Sequence, residues 1–246
     1  HIDQLHVILP FEKQWFSNHG VEVNWVGHPL LELESMEAGN RSEYTVNNAN
    51  HGQSHRPILA LVPGSRKQEV ERMLPVFVKV AQQLPQFTAI VSGAPGLEKE
   101  DYQSASDQGI EIRFGTMRSL MQSSSVGLVT SGTATLEAAL LGMPQVICYR
   151  TSGVTFQTAK RLARTPWIGL PNILLQKSIV TERIQQDCDD RTLVKDIKKL
   201  HDGHALLPDG RQQLDQLEHL RNQLQGSRIP SAQVADAILN HRPRKA

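Results

Sequence analysis

The chain has 246 residues with 39% hydrophobic content, enough for one large α/β domain or parts of two. Its 26 Lys and Arg balance 25 Asp and Glu, and a formal net charge of +1 projects no broad field toward nucleic acid. No apolar run approaches the roughly 18 residues of a membrane-spanning helix, and no signal peptide is visible. Cys148 and Cys188 read as a buried strand and an exposed helix end, which argues against a disulfide and fits a reducing compartment. The ten histidines are scattered without the Cys or carboxylate spacing of a metal site.

In chain order, LHVIL (5–9) reads as a strand already under way, which predicts a piece of a longer protein. EKQWFSNH forms two helical turns closed by Gly20, and VEVNWV follows with β-branched alternation. That strand ends at Gly27-His28-Pro29, since the residue before proline avoids helical backbone. Over 35–56, Asn, Gly, Ser, Glu and His dominate, as in a linker or surface insertion. From Pro57 a regular alternation begins. Strands at 58–62, 87–91, 110–114, 126–129 and 144–149 alternate with helices at 66–84, 97–105, 117–123 and 134–141. The first of these helices carries Val70, Met73, Leu74, Phe77, Ala81 and Leu84 on one stripe, with a kink expected at Pro75. Short continuous apolar strands between helices predict a doubly wound parallel α/β sheet. After Arg150 the pattern predicts a helix at 155–163, a loop at 170–174, and closing helices at 191–201, 211–225 and 231–240.

Two turns in this alternation are suited to an anion. In LVPGSRKQE, Gly64 lets the backbone turn and a ligand approach, Ser65 is placed to cap the next helix, and Gln68 answers it. Arg66 then stands at the positive end of a helix dipole, against its local preference, where a guanidinium can grip phosphate bidentately. In VTSGTATLE, Ser131, Gly132 and Thr133 open a second helix with small residues and hydroxyls, so its first N–H groups face whatever lies at the sheet's carboxyl edge. Two such helix starts suit a diphosphate. Glu137, one turn further, is too close to an anion to be its ligand; it can accept from sugar hydroxyls or simply favour its own helix's first turn.

GSRKQEV, SGTATLEAAL, CYR and LPNIL, in this order and at these separations, resemble the lipid-A-disaccharide synthase family. ILPFE and GHPLLE resemble the end of that family's first domain, so the likeness covers nearly the whole chain. It implies a GT-B glycosyltransferase: two Rossmann-like domains, no cofactor and no metal. The implied reaction joins UDP-2,3-diacylglucosamine to lipid X, 2,3-diacylglucosamine 1-phosphate, with inversion, releasing UDP. It also implies a cytoplasmic enzyme peripheral to the inner membrane of a Gram-negative-type bacterium, without a nucleic-acid partner and with homo-oligomers open. The division expected from it is 1–34 as the end of an acceptor-side domain, 35–56 as linker, 57–205 as the UDP-sugar domain, and 206–246 as helices returning toward the first domain.

By this resemblance Gly64, Ser65 and Arg66 face the UDP diphosphate, with Arg66 stabilising the leaving group. Ser131, Gly132 and Thr133 donate to the same phosphates, Glu137 binds the ribose hydroxyls, and Tyr149, Arg150 and Asn172 line the donor side, Asn172 with a catalytic part. The general base and the acyl-chain surface are expected in the part of the family's first domain that this sequence lacks. For membrane contact the chain offers only Lys160, Arg161, Arg164 and the basic 241–245 tail, which solvated helix faces explain equally well. Two alternatives share the nucleotide cradle: a UDP-N-acetylglucosamine 2-epimerase or peptidoglycan N-acetylglucosaminyltransferase, and a non-catalytic nucleotide-binding remnant.

Overall fold

The computed structural model describes residues 2–32, 56–151, 165–226 and 229–240. The helix expected at 155–163, its Lys160, Arg161 and Arg164, nearly all of the 35–56 insertion and the 241–245 tail lie outside the described residues. By its contacts the chain divides into His1–Gln53 with Arg221–Ala246, and Ser54–Leu220.

The larger unit holds a six-stranded sheet: β3 (Ile58–Val62), β4 (Thr88–Gly93), β5 (Glu111–Phe114), β6 (Val126–Thr130), β7 (Gln145–Tyr149) and β8 (Thr181–Ile184). All neighbouring pairs are parallel, in the order β5-β4-β3-β6-β7-β8. The chain works outward from β3 in one direction, then crosses back and works outward from β6 in the other. Strand alternation sends successive side chains to opposite faces, and both are covered. Leu59, Leu61 and Leu128 lie in one cluster with Val70, Met73 and Phe77 of α2 (Lys67–Gln82) and Leu193 and Ile197 of α7 (Asp190–Leu200). Ala60, Val62 and Val129 lie in the other with Leu120 and Met121 of α4 (Met117–Ser123) and Ala138 of α5 (Thr133–Leu140). This is the doubly wound α/β arrangement expected from the alternating sequence.

Several local expectations change. Helix α2 begins at Lys67, with Arg66 as its extended N-cap (φ −108°, ψ 143°), and runs through Pro75 to Gln82. The weak helix at 97–105 is a single 3-10 turn, Lys99–Tyr102, followed by the short α3 (Gln103–Ser106). The expected loop at 170–174 is helix α6 (Leu170–Leu175). Its proline falls in the first turn, where a missing N–H breaks no helical bond, so Pro171 starts a helix here. Strand β8, TERI, carries no apolar run and was not expected; it is an edge strand, half-buried throughout. Cys188 is buried, not exposed, and both thiols are free.

In the smaller unit, β1 (His6–Val7) pairs in parallel with β2 (Asn24–Trp25), joined by α1 (Pro10–Ser17). Both strands are shorter than the sequence suggested, because only these residues find a ladder partner. Glu12 accepts from the Ile8 and Leu9 N–H groups and closes the start of α1. Helix α8 (Pro208–Leu224) ends in this unit, where the Leu224 carbonyl accepts from His28 N–H at 3.2 Å. Gln233 of α9 (Pro230–Leu239) donates to the Val26 carbonyl at 3.1 Å.

Candidate functional site

The two motif turns follow β3 and β6, and these strands are neighbours, with Leu61 opposite Leu128 and Val62 opposite Val129. Parallel neighbours lie about 4.8 Å apart, so both turns leave the same carboxyl edge side by side. They stand at the point where the strand order reverses. Crevices at such switch points, outside the carboxyl ends of the strands, are where doubly wound sheets bind ligands.

The first turn is already filled by its own carboxylate. Glu69 Oε2 accepts from Ser65 N–H at 3.0 Å and Arg66 N–H at 3.3 Å, while Glu69 Oε1 accepts from Arg66 Nη1 at 3.1 Å. Capping by Ser65 with Gln68 is therefore corrected. The helix starts one residue later than expected, so Glu69 takes the third position, and a carboxylate is favoured over an amide at the positive helix end. Gly64 sits at φ +116°, and a Cβ there would lie 2.7 Å from the Glu69 Cβ, so both backbone and packing require glycine. The Arg66 side chain is 82% exposed, and an ion pair so open to water is worth about 0–1 kcal/mol, little hindrance to a change of partner. Lys67 turns to Asp101 at 2.8 Å; their hydrogen bond holds the Asp101 carboxyl below, and the Lys67 ammonium above, its usual range.

The second turn is open. Gly132 is the N-cap of α5 at φ 155°, ψ −164°, a region that side chains avoid, and a Cβ there would meet nothing within 4 Å. Conformation, not crowding, demands glycine. No side chain caps the helix, and its first N–H groups have no helical carbonyl to bind. Gly132 and Thr133 are exposed. Ser131 N–H extends the sheet by donating to the Cys148 carbonyl at 2.9 Å, and its Oγ donates to the Ile168 carbonyl at 3.1 Å. The neighbouring Thr130 hydroxyl is buried and has no hydrogen-bond partner among the described residues.

Glu137 Oε1 accepts from Arg118 Nη1 of α4 at 3.2 Å. Tyr149 and Arg150 follow at the end of β7, the next strand along the same edge, both half-buried. Burial pushes the Cys148 thiol well up, while a hydrogen bond with Cys148 holds the Cys188 thiol below its ordinary range, with a smaller contribution from Arg150 nearby.

Asn172 is buried and fully occupied. Its Oδ1 accepts from Ile179 and Val180 N–H, each at 2.9 Å, and its Nδ2 donates to the Val180 carbonyl at 2.8 Å and to Glu182 Oε1 at 2.7 Å. Where a substrate-facing amide was expected, the structure has one that holds its own loop. Glu182 Oε1 also accepts from Gly169 N–H at 3.0 Å, and its Oε2 from Ile168 N–H at 2.9 Å. One chain of contacts thus runs from Ser131 through residues 168–169 and Glu182 to Asn172. Sequence reading singled out neither Arg118 nor Glu182. Arg118 sits in a short helix without a motif, and Glu182 in a polar stretch without strand periodicity.

The sequence matches the family described as lipid-A-disaccharide synthetase over residues 1–237. It is 32% identical over 244 residues to the lipid-A-disaccharide synthase of Pseudomonas entomophila, covering 96% of this chain and 62% of the relative. With the synthase of Colwellia psychrerythraea the identity is 34% over 248 residues, covering 97% and 60%. The chain therefore spans about three-fifths of the length of the curated relatives it matches. The fold is similar to that of the UDP-GlcNAc 2-epimerase from Neisseria meningitidis, with a TM-score of 0.52 at 11% identity, covering 97% of this chain and 61% of the epimerase. A protein described as a UDP-N-acetylglucosamine 2-epimerase from Listeria monocytogenes gives 0.54 at 12%, covering 97% and 59%. At these identities the likeness is one of fold, of the GT-B type.

Proposed function

The chain belongs to the lipid-A-disaccharide synthetase family, and we propose that it supplies the UDP-sugar-binding half of an inverting glycosyltransferase of lipid A biosynthesis. The donor is UDP-2,3-diacylglucosamine and the acceptor lipid X. The single observation that carries this reading is the adjacency of the two anion-suited turns at the sheet's switch point. As the acceptor hydroxyl attacks the anomeric carbon, the bond to the β-phosphate oxygen breaks on the opposite face and negative charge collects on the departing UDP. The N–H groups opening α5 receive one part of the diphosphate, and Arg66, released from Glu69, receives another. Donors held in place before the charge develops stabilise a transition state without reorganising.

Gly64, Ser65, Ser131 and Thr133 shape and extend this cradle, and Glu137 takes the ribose hydroxyls. Tyr149 and Arg150 flank the donor from the end of β7. Asn172 acts through the segment it holds, not on the substrate. The general base and the acyl-chain surface belong to the relatives' length that this chain does not span, as does most of an acceptor-side domain completed by 1–34 and 206–246. Among the described residues no helix is long and apolar enough to cross a membrane. Because both substrates carry acyl chains, we place the reaction at the cytoplasmic face of the inner membrane, with the protein in peripheral contact.

Titration calorimetry of the 246-residue chain with UDP, run beside a transfer assay with both substrates, tests the reading. Binding of UDP without transfer is the expected result. Absence of heat with UDP at millimolar concentration would sink it.

A further inference from the structure

Arg118 and Glu137 form an ion pair in which both side chains are largely withdrawn from water, at 14% and 13% exposure. They come from two helices that both start at the carboxyl edge. Arg118 is the second residue of α4, and Glu137 lies one turn into α5. Both helices contribute to one hydrophobic cluster, Met117, Leu120 and Met121 from α4 and Ala134 and Ala138 from α5. Apolar packing therefore holds the two helices together beside the ion pair. What the pair adds is direction. An unpaired glutamate has three rotatable bonds, and the guanidinium restricts Glu137 to the rotamers in which Oε1 meets Nη1.

We infer that Arg118 is a positioning residue that holds the Glu137 carboxylate in the orientation that accepts the paired 2′- and 3′-hydroxyls of a nucleotide ribose. This rests on the nucleotide reading above. An ionised carboxylate offers about four lone-pair sites, so one contact from Nη1 leaves acceptor capacity for a vicinal diol. Held in place, the carboxylate receives the diol without losing further side-chain entropy. A guanidinium is suited to the task because its planar fork aligns a carboxylate, which the point charge of lysine does not.

The experiment titrates the 246-residue chain with UDP, 2′,3′-dideoxy-UDP and inorganic pyrophosphate. The proteins are the unaltered chain, Arg118→Met, Arg118→Lys and Glu137→Gln, with a melting curve for each. The unaltered chain should bind UDP about tenfold more tightly than the dideoxy analogue, the worth of one hydrogen bond to a charged group. Arg118→Met and Glu137→Gln should both erase that preference, read as the ratio of UDP to dideoxy-UDP affinity, with pyrophosphate titrated alongside to register the change of charge at the phosphates. Arg118→Lys should retain only part of the preference, since charge remains and the fork is lost. A pair serving stability alone would lower the melting temperature and leave the ratio of UDP to dideoxy-UDP affinity unchanged; that result overturns the inference but not the nucleotide reading. Equal binding of UDP and its dideoxy analogue by the unaltered chain would overturn the inference together with the ribose role of Glu137. Loss of UDP binding altogether would take the nucleotide reading with it. If Arg118→Met does not fold, the lysine variant decides: a full hydroxyl preference there overturns the role of the fork.

Discussion

The turns after β3 and β6 look alike in sequence and differ in the folded chain. Both put glycine and serine before a helix, and both need the glycine for its backbone. Yet the first satisfies its own amides through Glu69, while the second leaves the start of α5 uncapped. The contrast assigns them different parts. A self-capped helix start has little left to offer an anion except a side chain that can swing, and Arg66 is that side chain. An uncapped start offers fixed backbone donors. A diphosphate bridging the two would meet one rigid wall and one adjustable clamp.

Mutation can break or sharpen this contrast. The largest effect is expected from Arg66→Ala in whichever form of the protein supports transfer. Losing one donor aimed at the leaving group typically costs about 2.7–4 kcal/mol in the transition state, so turnover should fall by roughly 10²-fold or more. An unchanged rate in a steady-state assay would remove Arg66 from the clamp. Next is Gly132→Ala. An alanine forced to φ near +155° strains the backbone by about 1–3 kcal/mol. Thermal unfolding and UDP affinity should therefore suffer together, since no neighbouring atom stands in the way to confuse strain with crowding. The smallest and most discriminating is Glu69→Gln. Loss of the carboxylate should lower stability by about 1 kcal/mol while raising UDP affinity, because Glu69 no longer competes with the diphosphate for Arg66 and two N–H groups. A drop in UDP affinity would mean that Glu69 holds the clamp in its working position.

Much of the larger unit was legible because its central strands are short and mostly apolar. Residues 58–62 and 126–129 carry no polar side chain, and the amphipathic stripe of α2 leaves one orientation toward the sheet. The site was legible where the requirement lies in the backbone, as at Gly64 and Gly132. It was not legible where side chains choose among partners. Glu69 displaced Gln68 as the capping residue after a one-residue shift of the helix start. Asn172, in a motif expected to line the donor side, is buried and spends its whole amide on residues 179, 180 and 182. Strand β8 and Glu182 were missed because TERI carries no hydrophobic signal of its own; it pairs because β7 presents a free edge.

Local chemistry along the chain determined which residues could form strands, where helices begin and which turns could face an anion, since all of these depend on neighbours a few positions apart. Only the tertiary structure decided that β3 and β6, whose paired positions are 67 residues apart in sequence, lie side by side, and that Arg118 meets Glu137 from a separate helix. Strand order is set by which apolar faces are covered together, and that is a property of the whole sheet.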